Sequence, residues 1–267
     1  MKKKRIYKIG LALVATAVVM AVAFFVAKQF FSKEAIVDRE KADLPSAIAQ
    51  EESRIKSQKS SMTPEVSRTT QNEPRNTTPI PPELNLNVPF TSQAPDANWD
   101  YTHEEACEEA AILMANRYFL GRAISSSSDA EDGLQEIIDW ENKNLGFFES
   151  TTAQETARVL REMLNLKTQI LDNPKTEDIK RAIADDKLVL VPAAGRQIGN
   201  PFYKSPGPLY HMLLIKGYTE DKFITNDAGT KRGENYPYDF KTVLDANRDW
   251  NSGDVLNGAK KVIIVSK

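Results

Sequence analysis

The chain has 267 residues, and its 35 Lys and Arg nearly balance its 37 Asp and Glu, giving a formal net charge of −2. This balance gives no basis for predicting a nucleic-acid partner. The only cysteine, Cys107, excludes an intramolecular disulfide. A metal pair of His103 with Cys107 would lack further Cys or His ligands. The sequence therefore predicts no cofactor and no metal.

Residues 1–31 predict a single N-terminal transmembrane helix. An uncharged apolar run extends from Ile9 to Ala27 and follows a cationic start. Because the cationic flank stays in the cytoplasm, we expect a single-pass protein of the cell membrane whose remaining residues are extracytoplasmic. A cleavable signal peptide is the alternative, since Ala21-Val22-Ala23 resembles a cleavage site, and it would make the protein secreted.

Residues 32–83 predict a flexible tether. Polar and charged residues dominate this segment, and no aromatic residue lies between Ser32 and Phe90. Such a composition buries too little apolar surface to offset the entropy of ordering. Residues 84–267 then form the folded domain, which is long enough to build a core of its own.

The first elements of this domain are a strand and a long helix. Leu84 to Phe90 alternates apolar and polar residues, as a short edge strand does. Thr102 and Glu105 form a capping box that predicts the start of a helix. That helix is expected to reach about Leu120 and to end at Gly121.

Helices precede strands in the rest of the chain. Three further helices are predicted from start signals at Ser128 with Glu131, Thr151 with Gln154, and Thr176. Short apolar or β-branched runs then predict strands at 188–191, 212–218, 222–225 and 262–265, with a hairpin at 217–221 and a helical turn near 240–248. This order predicts an α+β fold with N-terminal helices packed on a C-terminal antiparallel sheet.

Four residues of this layout could form a catalytic site. Cys107 lies near a helix N-terminus, where the helix dipole favours a thiolate. In the predicted hairpin, Asp227 or Asn226 lies beside His211 and could accept its Nδ1 proton. Gln93 precedes the helix, and its amide could stabilise an oxyanion. A thiol, a base, its orienting partner and an oxyanion donor are the requirements of a cysteine peptidase.

The motifs around these residues resemble cysteine peptidase family 39. They are Val88-Pro89-Phe90-Thr91-Ser92-Gln93, Cys107 opening a helix, Tyr210-His211-Met212-Leu213-Leu214-Ile215-Lys216-Gly217-Tyr218 and Ile224-Thr225-Asn226-Asp227-Ala228-Gly229. The resemblance implies a papain-like cysteine peptidase fold and a peptide or protein substrate. It also implies Cys107 as nucleophile, His211 as base, Asp227 as its orienter and Gln93 in the oxyanion hole. The family's usual Cys-Gly-Pro is Cys107-Glu108-Glu109 in this chain.

Two other functions remain open. A cell-wall amidase or transpeptidase could use the same acyl-enzyme, and product analysis would separate these from a peptidase. A non-catalytic binding module could keep the fold, because glutamates at positions 104, 105, 108 and 109 would raise the thiol pKa if they faced it. Helical spacing is expected to turn most of these glutamates away from Cys107.

Overall fold

A computed structural model describes residues 79–267. The predicted transmembrane helix and nearly all of the predicted tether lie outside the described residues. Within residues 79–267, no helix is both long and apolar enough to cross a membrane.

The helices lie mainly in the first half of the described chain. Their bounds are α1 Tyr101–Glu104, α2 Cys107–Leu120, α3 Ser127–Asn144, α4 Ala153–Glu162, α5 Thr176–Ala184, α6 Gly195–Ile198 and α7 Phe240–Ala246, with a 3-10 turn at Val255–Asn257. Gly121 ends α2 in the left-handed conformation at φ 64°, as predicted, because a residue without a Cβ adopts it without strain.

The strands form one antiparallel sheet in this part of the chain. Their bounds are β1 Leu84–Asn85, β2 Lys167–Asp172, β3 Leu188–Ala194, β4 Tyr210–Tyr218, β5 Lys222–Asp227, β6 Tyr236–Asp239 and β7 Lys261–Ser266. The order is β2-β7-β3-β4-β5-β6, and β1 pairs with the end of β4. The predicted α+β class and the β4–β5 hairpin are confirmed.

Helices cover both faces of the sheet. Helices α2, α3 and α4 pack on the face that carries Leu190, Met212 and Leu214. Helices α5 and α7 pack on the other face, which carries Leu213 and Ile215. Every residue of β3 and β4 is buried for this reason, which explains their nearly continuous apolar sequence.

The predicted start of the long helix was wrong. Asp100, not Thr102, caps the short helix α1, because its side chain accepts the backbone N–H of His103. The chain then breaks at Glu105 and Ala106, and α2 begins at Cys107. The break places Cys107 at the first position of its helix instead of in the second turn.

The other differences concern element bounds and two missed strands. The capping box of α4 is Thr152 with Glu155, one residue after the predicted pair. The predicted edge strand is regular only at Leu84–Asn85. Strands β2 and β6 were not predicted, because their mixed sequences Lys167–Asp172 and Tyr236–Asp239 carry no clear alternation.

Candidate active site

Cys107 occupies the N-terminus of the helix that packs against the centre of the sheet. It is the first residue of α2, and the preceding cap residue, Ala106, offers no side-chain hydrogen bond. The first backbone N–H groups of a helix have no intrahelical partner. The N-terminus of α2 can therefore donate backbone hydrogen bonds to an anion beside the thiol.

The thiol donates a hydrogen bond to the side chain of the next residue, a glutamate. Cys107 Sγ donates to Oε2 of Glu108 across 2.8 Å. Burial, together with Glu108 and Glu109, raises the pKa of Cys107 well above its usual value, against a smaller lowering by the backbone N–H of Met212. Glu108 is thus an exception to the expectation that helical spacing turns most of the glutamates away from the thiol.

The burial of these glutamates has a structural cause. The start of α2 is enclosed on all sides, so that residues 107–115 are all buried. Glu108 and Glu109 are consequently 1% and 0% exposed. A helix with only one buried face would have left both carboxylates in solvent.

His211 and Asp227 form a buried pair. His211 Nε2 lies 2.8 Å from Asp227 Oδ1, and both side chains are 0% exposed. The sheet register produces this contact, since Asp227 pairs with Leu213, which shares a strand face with His211. Asn226 turns away and donates to the carbonyls of Val88 and Pro89, so Asp227 is the partner of His211.

The ring nitrogen that faces Asp227 is not the predicted one. Nε2 meets the carboxylate, whereas Nδ1 is buried and has no hydrogen-bond partner. The imidazole extends from strand β4, and Nε2, the nitrogen farther from the backbone, points at Asp227 on the neighbouring strand β5. With its proton on Nε2, the ring keeps a free lone pair on Nδ1.

No hydrogen bond joins the Cys107 thiol to the His211 ring in this structure. Met212, which follows His211, belongs to the same core cluster as Cys107, and its backbone N–H lowers the pKa of the thiol slightly. Alternation along β4 sends the His211 side chain to the other side, where it contacts the ring of Tyr203. Catalysis by this pair stays a prediction and requires the thiol to leave Glu108.

Gln93 is buried beside the same helix end. Its Nε2 donates to the carbonyls of His103 and Glu104, at 2.7 and 3.1 Å. Both amide hydrogens are thus engaged, while Oε1 is buried without a partner. In this arrangement the amide fixes the C-terminus of α1, and its role as an oxyanion donor stays a prediction.

His103 joins the short helix α1 to helix α3 through two carboxylates. Its Nδ1 lies 2.7 Å from Asp100 Oδ1, and its Nε2 lies 2.8 Å from Glu131 Oε2 on α3. Burial lowers the pKa of His103, but the hydrogen bonds and charges of the two carboxylates outweigh this and raise the pKa. His103 therefore bridges α1 to α3 and holds the segment before Cys107 in place.

Three further residues around Asp227 were not predicted from the sequence. Asn200, Tyr203 and Tyr238 all donate to its Oδ2. Burial favours the neutral acid, but His211 and the two tyrosines outweigh it and keep the pKa of Asp227 below its usual value. Asn200 and Tyr203 lie on the loop between α6 and β4, and only the contacts of this loop reveal their role.

A comparison with protein-family models agrees with the motifs. The model of the Peptidase_C39 like family matches residues 85–253. Two solved structures are similar at 13% identity: a C39-like peptidase from Bacillus anthracis, with a TM-score of 0.47 and coverage of 69% of this chain and 98% of that one, and the cysteine protease CMS1MS2 from Carica candamarcensis in complex with E-64, with a TM-score of 0.42 and coverage of 70% and 99%. No curated protein matches the sequence. Because the family match spans more than half of the chain, this protein belongs to the Peptidase_C39 like family.

Proposed function

We propose that this protein is a cysteine peptidase that hydrolyses peptide bonds through Cys107, His211 and Asp227. The observation that supports this function best is the buried His211–Asp227 pair, which leaves Nδ1 without a partner next to Met212, a residue of the same core cluster as Cys107. An orienting carboxylate and a free ring nitrogen are what a general base requires.

The reaction begins when the Cys107 side chain leaves Glu108 and transfers its proton to His211 Nδ1. The thiolate attacks the peptide carbonyl, and the backbone N–H groups at the start of α2 stabilise the oxyanion. The imidazolium returns its proton to the leaving amine. Water then releases the acyl group from sulfur, and His211 takes up the proton of that water.

Hydrolysis of an unfolded protein by the full chain tests this function. Cys107→Ala is expected to abolish cleavage, since no other cysteine exists in the sequence. Glu104→Gln, which changes an exposed glutamate nearby, serves as the matched control and is expected to retain cleavage. Equal cleavage by wild type and Cys107→Ala would refute the proposal.

One observation favours a second candidate, a non-catalytic binding module. The thiol bonds to Glu108, and its raised pKa disfavours the reactive thiolate. A module of this kind would leave Cys107 unreactive toward a peptide-like electrophile at every pH at which the fold is intact. A peptidase would be labelled at Cys107 under the same conditions.

The proposed location is outside the cytoplasmic membrane. Its support is the sequence of residues 1–31, with an apolar run behind a cationic start. The peptidase domain would then act on extracytoplasmic peptides or proteins. Retention of the full chain in membranes after alkaline washing is expected, and its recovery in the wash would contradict an uncleaved anchor.

A further inference from the structure

The Asp227 carboxylate has more hydrogen-bond partners than a histidine-orienting acid needs. Its Oδ1 faces His211 Nε2 at 2.8 Å and accepts the Gly229 backbone N–H at 3.0 Å. Its Oδ2 accepts the Tyr203 hydroxyl at 2.7 Å, the Tyr238 hydroxyl at 2.5 Å and Asn200 Nδ2 at 2.9 Å. Asn200, Tyr203 and Tyr238 together form the Asp227 cage.

The cage comes from two separate parts of the fold. Tyr238 lies on β6, the strand next to β5 in the sheet. Asn200 and Tyr203 lie on the loop between α6 and β4, which crosses over Asp227. A buried carboxylate that accepts several hydrogen bonds remains ionised. The cage therefore keeps the buried Asp227 carboxylate negatively charged next to His211, with no contact to solvent.

Tyr203 also contacts the imidazole directly. The two rings meet edge to face, with centroids 5.4 Å apart and planes 70° apart. Gly229 allows this packing, because a Cβ at that position would lie 2.8 Å from Tyr203 Cε1 and 3.0 Å from His211 Cε1. One tyrosine thus restrains both members of the His211–Asp227 pair.

We propose that Tyr203 is a positioning residue of the peptidase site, supported by Asn200 and Tyr238. Its hydroxyl fixes the Asp227 carboxylate, and its ring fixes the plane of the imidazole. Together these contacts keep the proton on Nε2 and the lone pair on Nδ1. This role rests on the proposed function of His211 as the base.

The two histidines of the chain make a direct test possible. With ¹⁵N-histidine labelling of the full chain, His103 is an internal reference that contacts Asp100 and Glu131 instead of the cage. The His211 Nε2–H signal is expected in wild type, protected from exchange. In Tyr203→Phe it should move to lower field, because a carboxylate with one donor fewer binds the imidazole N–H more strongly.

Removal of the whole ring should have a larger effect. In Tyr203→Ala, the Nε2–H proton is expected to exchange at least about tenfold faster with solvent, because the buried pair opens more often. Tyr238→Phe, which leaves the loop intact, should shift the His211 signal in the same direction as Tyr203→Phe.

Tyr218→Phe is the matched control. Tyr218 lies on the same strand as His211, and its buried hydroxyl has no hydrogen-bond partner. This variant should leave both histidine signals unchanged. If Tyr203→Phe and Tyr203→Ala match Tyr218→Phe, the positioning role is overturned. This readout does not involve Cys107, so the positioning role can fail while peptide hydrolysis is observed, and the reverse.

Discussion

The Cys107 thiol donates a hydrogen bond to Glu108 Oε2 across 2.8 Å, although the two residues are neighbours in the first turn of one helix. This contact couples the proposed nucleophile to a buried carboxyl group whose own pKa is raised, first by burial and then by Glu109. The thiol proton is therefore held at Glu108 and not at His211 in this structure.

Glu108→Gln is expected to make the thiol more reactive. Removal of a like charge lowers the pKa of Cys107, so the pH profile of iodoacetamide alkylation should move to lower pH. A shift of one pH unit would raise the rate at about pH 8 by about tenfold. Glu109→Gln, which changes an equally buried glutamate without a bond to the thiol, should produce a smaller shift. Identical profiles for wild type and Glu108→Gln would contradict the coupling.

Asp227→Asn is expected to destabilise the fold in a pH-dependent way. The pKa of Asp227 is lower in the folded chain than in the unfolded chain, so its charge stabilises the fold above about pH 4 and this contribution is lost as the pH falls. Losing hydrogen bonds to a buried charged group costs about 2 kcal/mol near neutral pH. Urea unfolding of wild type and variant should therefore differ most near neutral pH and least in acid.

The control for this measurement is Asp132→Asn, which changes an exposed aspartate on α3. It should leave the unfolding midpoint within error of wild type at every pH. A constant difference between wild type and Asp227→Asn down to the acid limit would show that the charge of Asp227 does not stabilise the fold.

Glu141→Gln is expected to stabilise the protein at high pH. Burial raises the pKa of Glu141 to about 8, with a further contribution from Glu108. Because this pKa exceeds that of the unfolded chain, the folded state loses stability as the pH rises from about 4.5 to about 8. Glutamine cannot ionise and should remove this loss.

The measurement is the urea midpoint at the two ends of that range. Glu136→Gln, on the exposed side of the same helix, should keep the wild-type dependence on pH. The interpretation fails if Glu141→Gln declines between the two pH values as steeply as wild type does.

The sequence predicted the features that depend on local patterns. Gly121 marked the end of α2, and the apolar runs at 212–218 and 222–225 with a turn between them predicted a hairpin that brings Asp227 to His211. The order of motifs from Gln93 to Gly229 was enough to identify the family.

The features that the sequence did not predict depend on distant contacts. The burial of Glu108 and Glu109 follows from the enclosure of α2 on all sides, which a single helix pattern does not encode. The Asp227 cage joins a loop to strand β6, and neither segment has a local signal for that contact. The break before Cys107 lies where the Gln93 amide, from a separate segment, donates to the carbonyls of His103 and Glu104 at the end of α1.

Covalent labelling of Cys107 by a peptidyl epoxide, followed by intact mass, tests the central claim most directly. The folded wild-type chain is expected to gain one adduct at Cys107, and His211→Ala should react at least about a hundredfold more slowly. Equal rates for wild type and His211→Ala would contradict the assignment of His211 as the base for this thiol.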